Sequence, residues 1–135
     1  MIRQLDDRTM VSGQLLPDQI AGLQAHGVTM LVNNRPDNED AGQPLSVDME
    51  AAARAAGIDY RHIPIRYGIG PADVDSMRDA MAAAGDGKLL AYCRSGNRSA
   101  LAWAVARSED GAKPEELHRQ AEAAGFNLAP VAHLL

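Results

Sequence analysis

The residues best suited to chemistry form one short run, Cys93-Arg94-Ser95-Gly96-Asn97-Arg98-Ser99. Cys93 is the only cysteine; it directly follows an apolar stretch, residues 89–92, and precedes a glycine-containing turn into a predicted helix. Backbone N–H groups and the positive end of a helix dipole both favour a thiolate at such a position. Arg98, in the first helical turn, offers a planar fork to an anionic group. We predict that Cys93 is a nucleophile. The alternative, a small buried hydrophobe, leaves the polar run unexplained.

The remaining members of this run are predicted to line the anion site. Ser99 immediately follows Arg98, and its hydroxyl can hydrogen-bond the thiolate. An equally weighted alternative is that Ser99 is simply a serine on the helix surface. Gly96 permits a positive φ or a close backbone approach. Ser95 can bind the anion or satisfy a turn. Asn97 completes the set, and Arg94 is expected to attract anions from solvent.

A second polar segment, residues 33–40, directly follows another predicted strand. Asn34 and Arg35 are candidate anion ligands, although pairing of Arg35 with an acid of its own loop is slightly favoured. Asp37 and Glu39 are candidate acid or base groups if this loop folds over Cys93, whereas a solvated acidic loop is the commoner outcome. The four histidines lack metal-ligand spacing, so we expect neither a metal nor a cofactor.

Composition narrows the classes of partner. A net charge of −5 without a basic cluster argues against nucleic acid and anionic membranes. With 135 residues, a single cysteine and no apolar export segment near the start, the sequence predicts one cytoplasmic domain spanning residues 1–135, without an internal disulfide. The expected partner is a small anionic substrate, either a sulfane-sulfur donor or a phosphoester. The oligomeric state stays open.

Apolar runs and Gly or Pro breaks alternate along the chain. Strands are predicted at 2–6, 9–11, 28–32, 58–65 and 89–92, and helices at 17–26, 46–57, 71–84, 98–107, 114–124 and 128–135. Strands that alternate with helices indicate an α/β fold with a mainly parallel central sheet flanked by helices. Ligands of such sheets bind beyond the carboxyl ends of the strands. We therefore expect three loops to converge there: 33–40, 66–70 and 93–98.

The spacing within the cysteine run bears on the reaction. Four residues separate Cys93 from Arg98. This C-x4-R pattern resembles the active-site loop of rhodanese-type sulfurtransferases, whereas cysteine-dependent phosphatases have one residue more. A shorter loop curls its N–H groups around a smaller volume, which suits the outer sulfur of a persulfide better than a phosphoryl group.

Beyond this loop, the chain resembles the bacterial family called beta-lactamase hydrolase-like protein, phosphatase-like domain, nearly end to end. The resemblance rests on VSGQL, LVNNRPDNEDAGQP, YRHIPI, GIGPADV and LLAYCRSGNRSALAWA. Members are described as phosphatase-like or as sulfur transferases. The resemblance implies a fold similar to dual-specificity protein phosphatases, with Cys93 as nucleophile and Arg98 as anion clamp.

One departure from that fold's phosphatases concerns proton donation. They usually carry an aspartate shortly after the strand that corresponds to residues 60–65, where this chain has Arg66-Tyr67-Gly68. A general acid typically contributes about 10²–10⁴-fold, whereas sulfur transfer from thiosulfate needs none, because sulfite is a good leaving group. The sequence therefore favours a sulfurtransferase, with a cysteine phosphatase as the alternative and a non-catalytic anion-binding or partner-binding module as a third hypothesis.

Overall fold

The computed structural model describes residues 1–135 and contains one five-stranded sheet. Its strands are β1 (Ile2–Gln4), β2 (Thr9–Ser12), β3 (Val28–Asn33), β4 (Asp59–His62) and β5 (Lys88–Tyr92). Their spatial order is β1-β2-β5-β3-β4, with β1 antiparallel to β2 and every other neighbouring pair parallel. The mainly parallel sheet predicted from the alternation of strands and helices is confirmed.

Helices cover both faces of this sheet. They are α1 (Ser46–Ala55), α2 (Pro71–Ala83), α3 (Asn97–Glu109) and α4 (Pro114–Ala123), with 3-10 segments at Pro17–Gln19, Ala21–His26 and Ala129–Leu134. Because side chains alternate across a strand, Leu89 of β5 joins the core under α2, α3 and α4, while Leu90 joins the core under α1. None of the helices is long and apolar enough to cross a membrane.

Strand register sets the position of the loops that follow. Tyr92 of β5 pairs with Ser12 of β2 and with Asn33 of β3. Since these strands are parallel, all three end at one level, and the chain leaves them side by side. The Asn34 N–H donates to the Tyr92 carbonyl at 2.8 Å, and the Cys93 N–H donates to the Ser12 carbonyl at 3.3 Å. The cysteine run thus lies between two neighbouring loops.

Two of the expected helices have 3-10 geometry. In the first, Leu23 donates to the Ile20 carbonyl at 2.9 Å, and in the last, Val131 donates to the Leu128 carbonyl at 3.0 Å. Within each pair both side chains are buried, three residues apart. That spacing fits the three residues per turn of a 3-10 helix, which proteins use in such short pieces.

The strand predicted over residues 58–65 is shorter in the structure. β4 ends at His62, because Pro64 has no N–H with which to extend the ladder. The flanking N–H groups still bond to the neighbouring strand end: Ile63 to the Asn33 carbonyl and Ile65 to the Asn34 carbonyl, both at 2.9 Å. The segment after β4 is therefore fixed beside the site even though it is not a strand.

Candidate active site

Residues Cys93–Arg98, here called the anion loop, begin directly after β5. Cys93 is almost fully buried, and its Sγ accepts a hydrogen bond from the Gly96 N–H at 3.1 Å. Gly96 has a φ of +92°, in the left-handed region that favours glycine. A β-carbon at this position would lie 3.3 Å from Phe126 Cζ and 3.4 Å from the Ser12 carbonyl oxygen. The backbone conformation therefore favours glycine, and a β-carbon would be in tight contact with its surroundings.

The loop that follows β2 supports the anion loop from one side. The Gln14 N–H donates to the Arg94 carbonyl oxygen at 3.3 Å. A β-carbon at Gly13 would lie only 3.0 Å from that same oxygen. Glycine thus allows the loop after β2 to approach the anion loop closely. The VSGQL segment near the start of the chain therefore lies beside the site.

Arg98 lies in the first turn of α3, with its guanidinium held from two sides. Nη1 and Nη2 each donate to the Glu39 carboxylate at 2.9 Å, and Nη1 also donates to the Ile65 carbonyl at 2.7 Å. The pKa of Arg98 is raised, chiefly by hydrogen bonding to Glu39 and further by the nearby Cys93. A guanidinium has five N–H groups, and these bonds use three of them. The Nε–H and one Nη2–H remain. One edge of the fork is therefore available to an anion at Cys93.

Glu39 lies between two arginines. Besides Arg98, it accepts a hydrogen bond from Arg35 Nε at 2.9 Å. Hydrogen bonding to Arg98 is the main reason that the pKa of Glu39 falls to about 2; burial opposes the shift, and Arg35 adds to it. Glu39 is therefore a carboxylate at neutral pH, and this environment argues against the predicted role as a proton-donating acid. Its observed partner is Arg98, the expected anion clamp.

The depressed pKa of Glu39 predicts a pH-dependent contribution to stability. A group with a lowered folded-state pKa stabilises the protein above its unfolded value, here 4.5, and loses that effect as pH falls towards 2. We expect Glu39→Gln to reduce the free energy of unfolding by about 2–3 kcal/mol at neutral pH. Denaturant unfolding at a series of pH values should show this difference shrinking below pH 4.5.

Glu50→Gln is the matched control for that experiment, because Glu50 forms only an exposed pair with Arg54 at 3.4 Å. It should change stability little at any pH. A Glu39→Gln effect that does not depend on pH would contradict the assignment of the ionised pair.

Arg35 is paired with acids of its own loop, the alternative that the sequence slightly favoured. Its side chain is 4% exposed, and all three of its nitrogens are engaged: Nε with Glu39, Nη1 with Gln14 at 3.0 Å and Nη2 with Asp40 at 2.6 Å. A buried guanidinium needs such partners. The structure thus shows the pairing within its own loop, and Arg35 holds Glu39 in place.

Arg94 is the exposed arginine of the anion loop. Its side chain is 69% exposed and its Nε lies 3.3 Å from Asp40 Oδ2, the same oxygen that Arg35 contacts. Asp37, the other candidate acid, instead accepts the Ser46 N–H at the start of α1, at 2.8 Å. The carboxylates of this acidic loop are thus divided between a helix end and the arginines.

Asn34 and Ser99 form a buried pair under the site. The Ser99 hydroxyl donates to Asn34 Oδ1 at 2.8 Å, and Asn34 Nδ2 donates to the Ile63 carbonyl at 3.0 Å. Both side chains are inaccessible to solvent. Two expectations are therefore corrected: Asn34 is not exposed to an anion, and the single hydroxyl hydrogen of Ser99 goes to Asn34 and not to the Cys93 thiolate.

The other candidates have local roles. The Asn97 N–H donates to Ser95 Oγ at 3.4 Å, so that the serine satisfies a turn, and both residues are exposed. His62 Nε2 bonds to the Arg35 carbonyl at 2.8 Å. The third expected loop, residues 66–70, follows Ile65, whose carbonyl accepts from Arg98, and its Tyr67 is 95% exposed.

Comparison with known proteins identifies the family. A sequence model described as beta-lactamase hydrolase-like protein, phosphatase-like domain, matches residues 1–110. The chain belongs to this family. A Beta-lactamase hydrolase-like protein of Xylella fastidiosa is 33% identical over 129 residues, which are 94% of this chain and 30% of the relative. The chain thus spans less than a third of the length of that curated relative.

Solved structures of phosphatases share the fold of this chain. A candidate phosphatase from Neisseria meningitidis (nma1982) has a TM-score of 0.82 and 31% identity, covering 98% of this chain and 94% of its own. Kinase associated phosphatase, with its catalytic-site cysteine replaced by serine, shares the fold at a TM-score of 0.68 and 17% identity, covering 92% and 82%. The expected dual-specificity-phosphatase-like fold is confirmed, and these comparisons support a phosphatase better than a sulfurtransferase.

Proposed function

We propose that this domain hydrolyses phosphate monoesters through a covalent intermediate on Cys93. The observation that carries the proposal is one juxtaposition: the Cys93 Sγ, with the Gly96 N–H at 3.1 Å, lies beside an Arg98 whose remaining N–H groups share one edge of the guanidinium. Membership of a phosphatase-like family supports the same chemistry. The substrate class is a small phosphoester.

The reaction has two displacements. The Cys93 thiolate attacks phosphorus, an S–P bond forms, and the bond to the ester oxygen breaks, so that the leaving group departs with its electron pair. Water then attacks phosphorus, the S–P bond breaks, and inorganic phosphate leaves as the thiolate returns. The free edge of Arg98 and the loop N–H groups stabilise the equatorial oxygens in both steps.

The carboxylates around the site predict selectivity for the leaving group. Each is already an acceptor: Asp37 from the Ser46 N–H, Glu39 and Asp40 from Arg35, and Asp73 from the Gly70 N–H at 2.9 Å. We expect kcat/KM for aryl phosphates to exceed that for alkyl phosphates by about 10²–10⁴-fold, the usual contribution of a general acid. Assays over phosphate esters of graded leaving-group acidity measure this, and equal rates would show that a proton donor operates.

Release of inorganic phosphate from an aryl phosphate tests the proposed function directly. The wild-type domain should turn over repeatedly, and Cys93→Ser should not. Binding of inorganic phosphate without turnover by the wild type would favour the third hypothesis, an anion-binding module, and would overturn the hydrolase.

Sulfur transfer is a second candidate because four residues, and not five, separate Cys93 from Arg98. In that reaction the thiolate attacks the outer sulfur of thiosulfate, the S–S bond breaks, and sulfite leaves. The persulfide on Cys93 then gives its outer sulfur to cyanide or to a thiol. Formation of thiocyanate from thiosulfate and cyanide, in parallel with the phosphate assay, separates the two reactions.

A further inference from the structure

The ring of Phe126 lies directly against the anion loop. Its Cζ and Cε1 atoms are 3.3 and 3.5 Å from the point where a β-carbon of Gly96 would stand. Phe126 is the only phenylalanine of the chain and follows α4, outside the residues 1–110 that the family model matches. A side chain from the C-terminal part of the chain thus occupies the space beside the glycine that faces the nucleophile.

The backbone around Phe126 is anchored on both sides. Its N–H donates to the Ala121 carbonyl at 2.8 Å, and the Ala124 carbonyl accepts Arg3 Nη1 at 3.2 Å. Leu128, two residues further on, is buried in the core under α3, and the half-buried Phe126 ring packs against that same core. The backbone that carries the ring is therefore held against the body of the domain.

The backbone conformation of Gly96 depends on the groups packed around it. Glycine populates many backbone conformations. In this loop Gly96 has a left-handed φ of +92°, and in that conformation its N–H donates to Cys93 Sγ. The position where its β-carbon would stand is filled by the Ser12 carbonyl oxygen and by the Phe126 ring. Removal of the ring would leave Gly96 free to relax away from the sulfur.

We propose that Phe126 is a positioning residue for the nucleophile. By filling the space beside Gly96, it holds the backbone conformation that directs the Gly96 N–H at Cys93 Sγ. Hydrogen bonding to the charged form of a group stabilises that form, so Phe126 increases the fraction of Cys93 present as thiolate. This role concerns the nucleophile and not the substrate, and it holds for phosphoryl and sulfur transfer alike.

The test is a thiolate titration by ultraviolet absorbance, with each variant referenced to the same variant carrying Cys93→Ser. We expect Phe126→Ala to move the titration to higher pH by about 1 unit, a tenfold loss of thiolate at any pH below the midpoint. Phe126→Leu is the second variant: leucine keeps an apolar anchor but has no atoms at the Cε1 and Cζ positions. It should remain folded and shift in the same direction.

Leu128→Ala is the matched control, because Leu128 is buried in the same segment, whereas the atoms nearest to the β-carbon position of Gly96 belong to Phe126 and Ser12. It should lower the melting temperature and leave the titration in place. An unshifted titration in folded Phe126→Leu, or an equal shift in Leu128→Ala, would overturn the proposal. The measurement uses no substrate, so its result is independent of whether the domain proves to be a phosphatase.

Discussion

Replacement of Cys93 by serine is expected to abolish hydrolysis of an aryl phosphate while leaving the affinity for inorganic phosphate nearly unchanged. A serine hydroxyl is not ionised at neutral pH, whereas the loop N–H groups and the Arg98 edge that hold the anion remain. We expect kcat to fall by about 10⁴-fold or more. Phosphate release measures turnover, and calorimetric titration with phosphate measures binding.

The control for this pair of measurements is the same titration on the wild-type protein. Equal affinities would show that the site is intact, so that the lost turnover reports the nucleophile alone. Residual activity within tenfold of the wild type would mean that another group attacks phosphorus, and Cys93 would then be one of the buried hydrophobic cysteines.

The substitution Arg98→Lys is expected to lower kcat/KM by about 10²–10³-fold, as removal of an oxyanion-stabilising donor does. Lysine keeps the positive charge but not the planar fork. One ammonium group cannot hold both Glu39 oxygens and the Ile65 carbonyl and still present two donors to the substrate. The loss should appear in kcat as well as in KM, because the missing donors face charge that develops in the transition state.

Arg107→Lys is the matched control, since Arg107 lies in the last turn of the same helix and its Nε is 3.6 Å from Asp6. It should change kcat/KM little, because it is at the opposite end of α3 from Cys93. If Arg98→Lys retained activity within threefold of the wild type, charge alone would suffice at this position, and the bidentate clamp would be wrong.

The fold and the position of the nucleophile follow from local features of the sequence. An apolar run, a cysteine, a turn containing Gly96 and a helix-forming stretch are consecutive, and the structure has the same order in β5, the anion loop and α3. Parallel strands that end at one level then bring the loops after Ser12 and Asn33 to the same place. Hydrophobic periodicity, glycine and proline breaks and the handedness of strand crossovers together predict this arrangement.

The partners of the polar side chains could not be predicted in the same way. Asp37, Glu39 and Asp40 are chemically similar and nearly adjacent, yet one holds the start of α1, one bridges two arginines, and one is shared between Arg35 and Arg94. Which carboxylate reaches which arginine depends on the path of the loop in space. The sequence therefore predicted an acidic loop near the site but not the Glu39–Arg98 pair.

Two contributions to the site had no signal of their own. The Ile65 carbonyl that holds Arg98 is a backbone group, available in principle at any residue. Phe126 is distant in sequence from the anion loop, and an aromatic residue after a helix usually indicates core packing. Ser99 was recognised, but a hydroxyl can serve several acceptors, and the buried Asn34 that takes its hydrogen is set by the packing of α3 on the sheet.

The central claim is a phosphoryl group carried on Cys93, and intact-mass measurement of rapidly quenched protein tests it most directly. After mixing with an aryl phosphate, the wild-type protein should gain the mass of one phosphoryl group, and Cys93→Ser should gain none. The same measurement with thiosulfate serves as the comparison. A gain of one sulfur atom from thiosulfate, removed by cyanide, together with no phosphoryl gain, would contradict the phosphatase and establish sulfur transfer on Cys93.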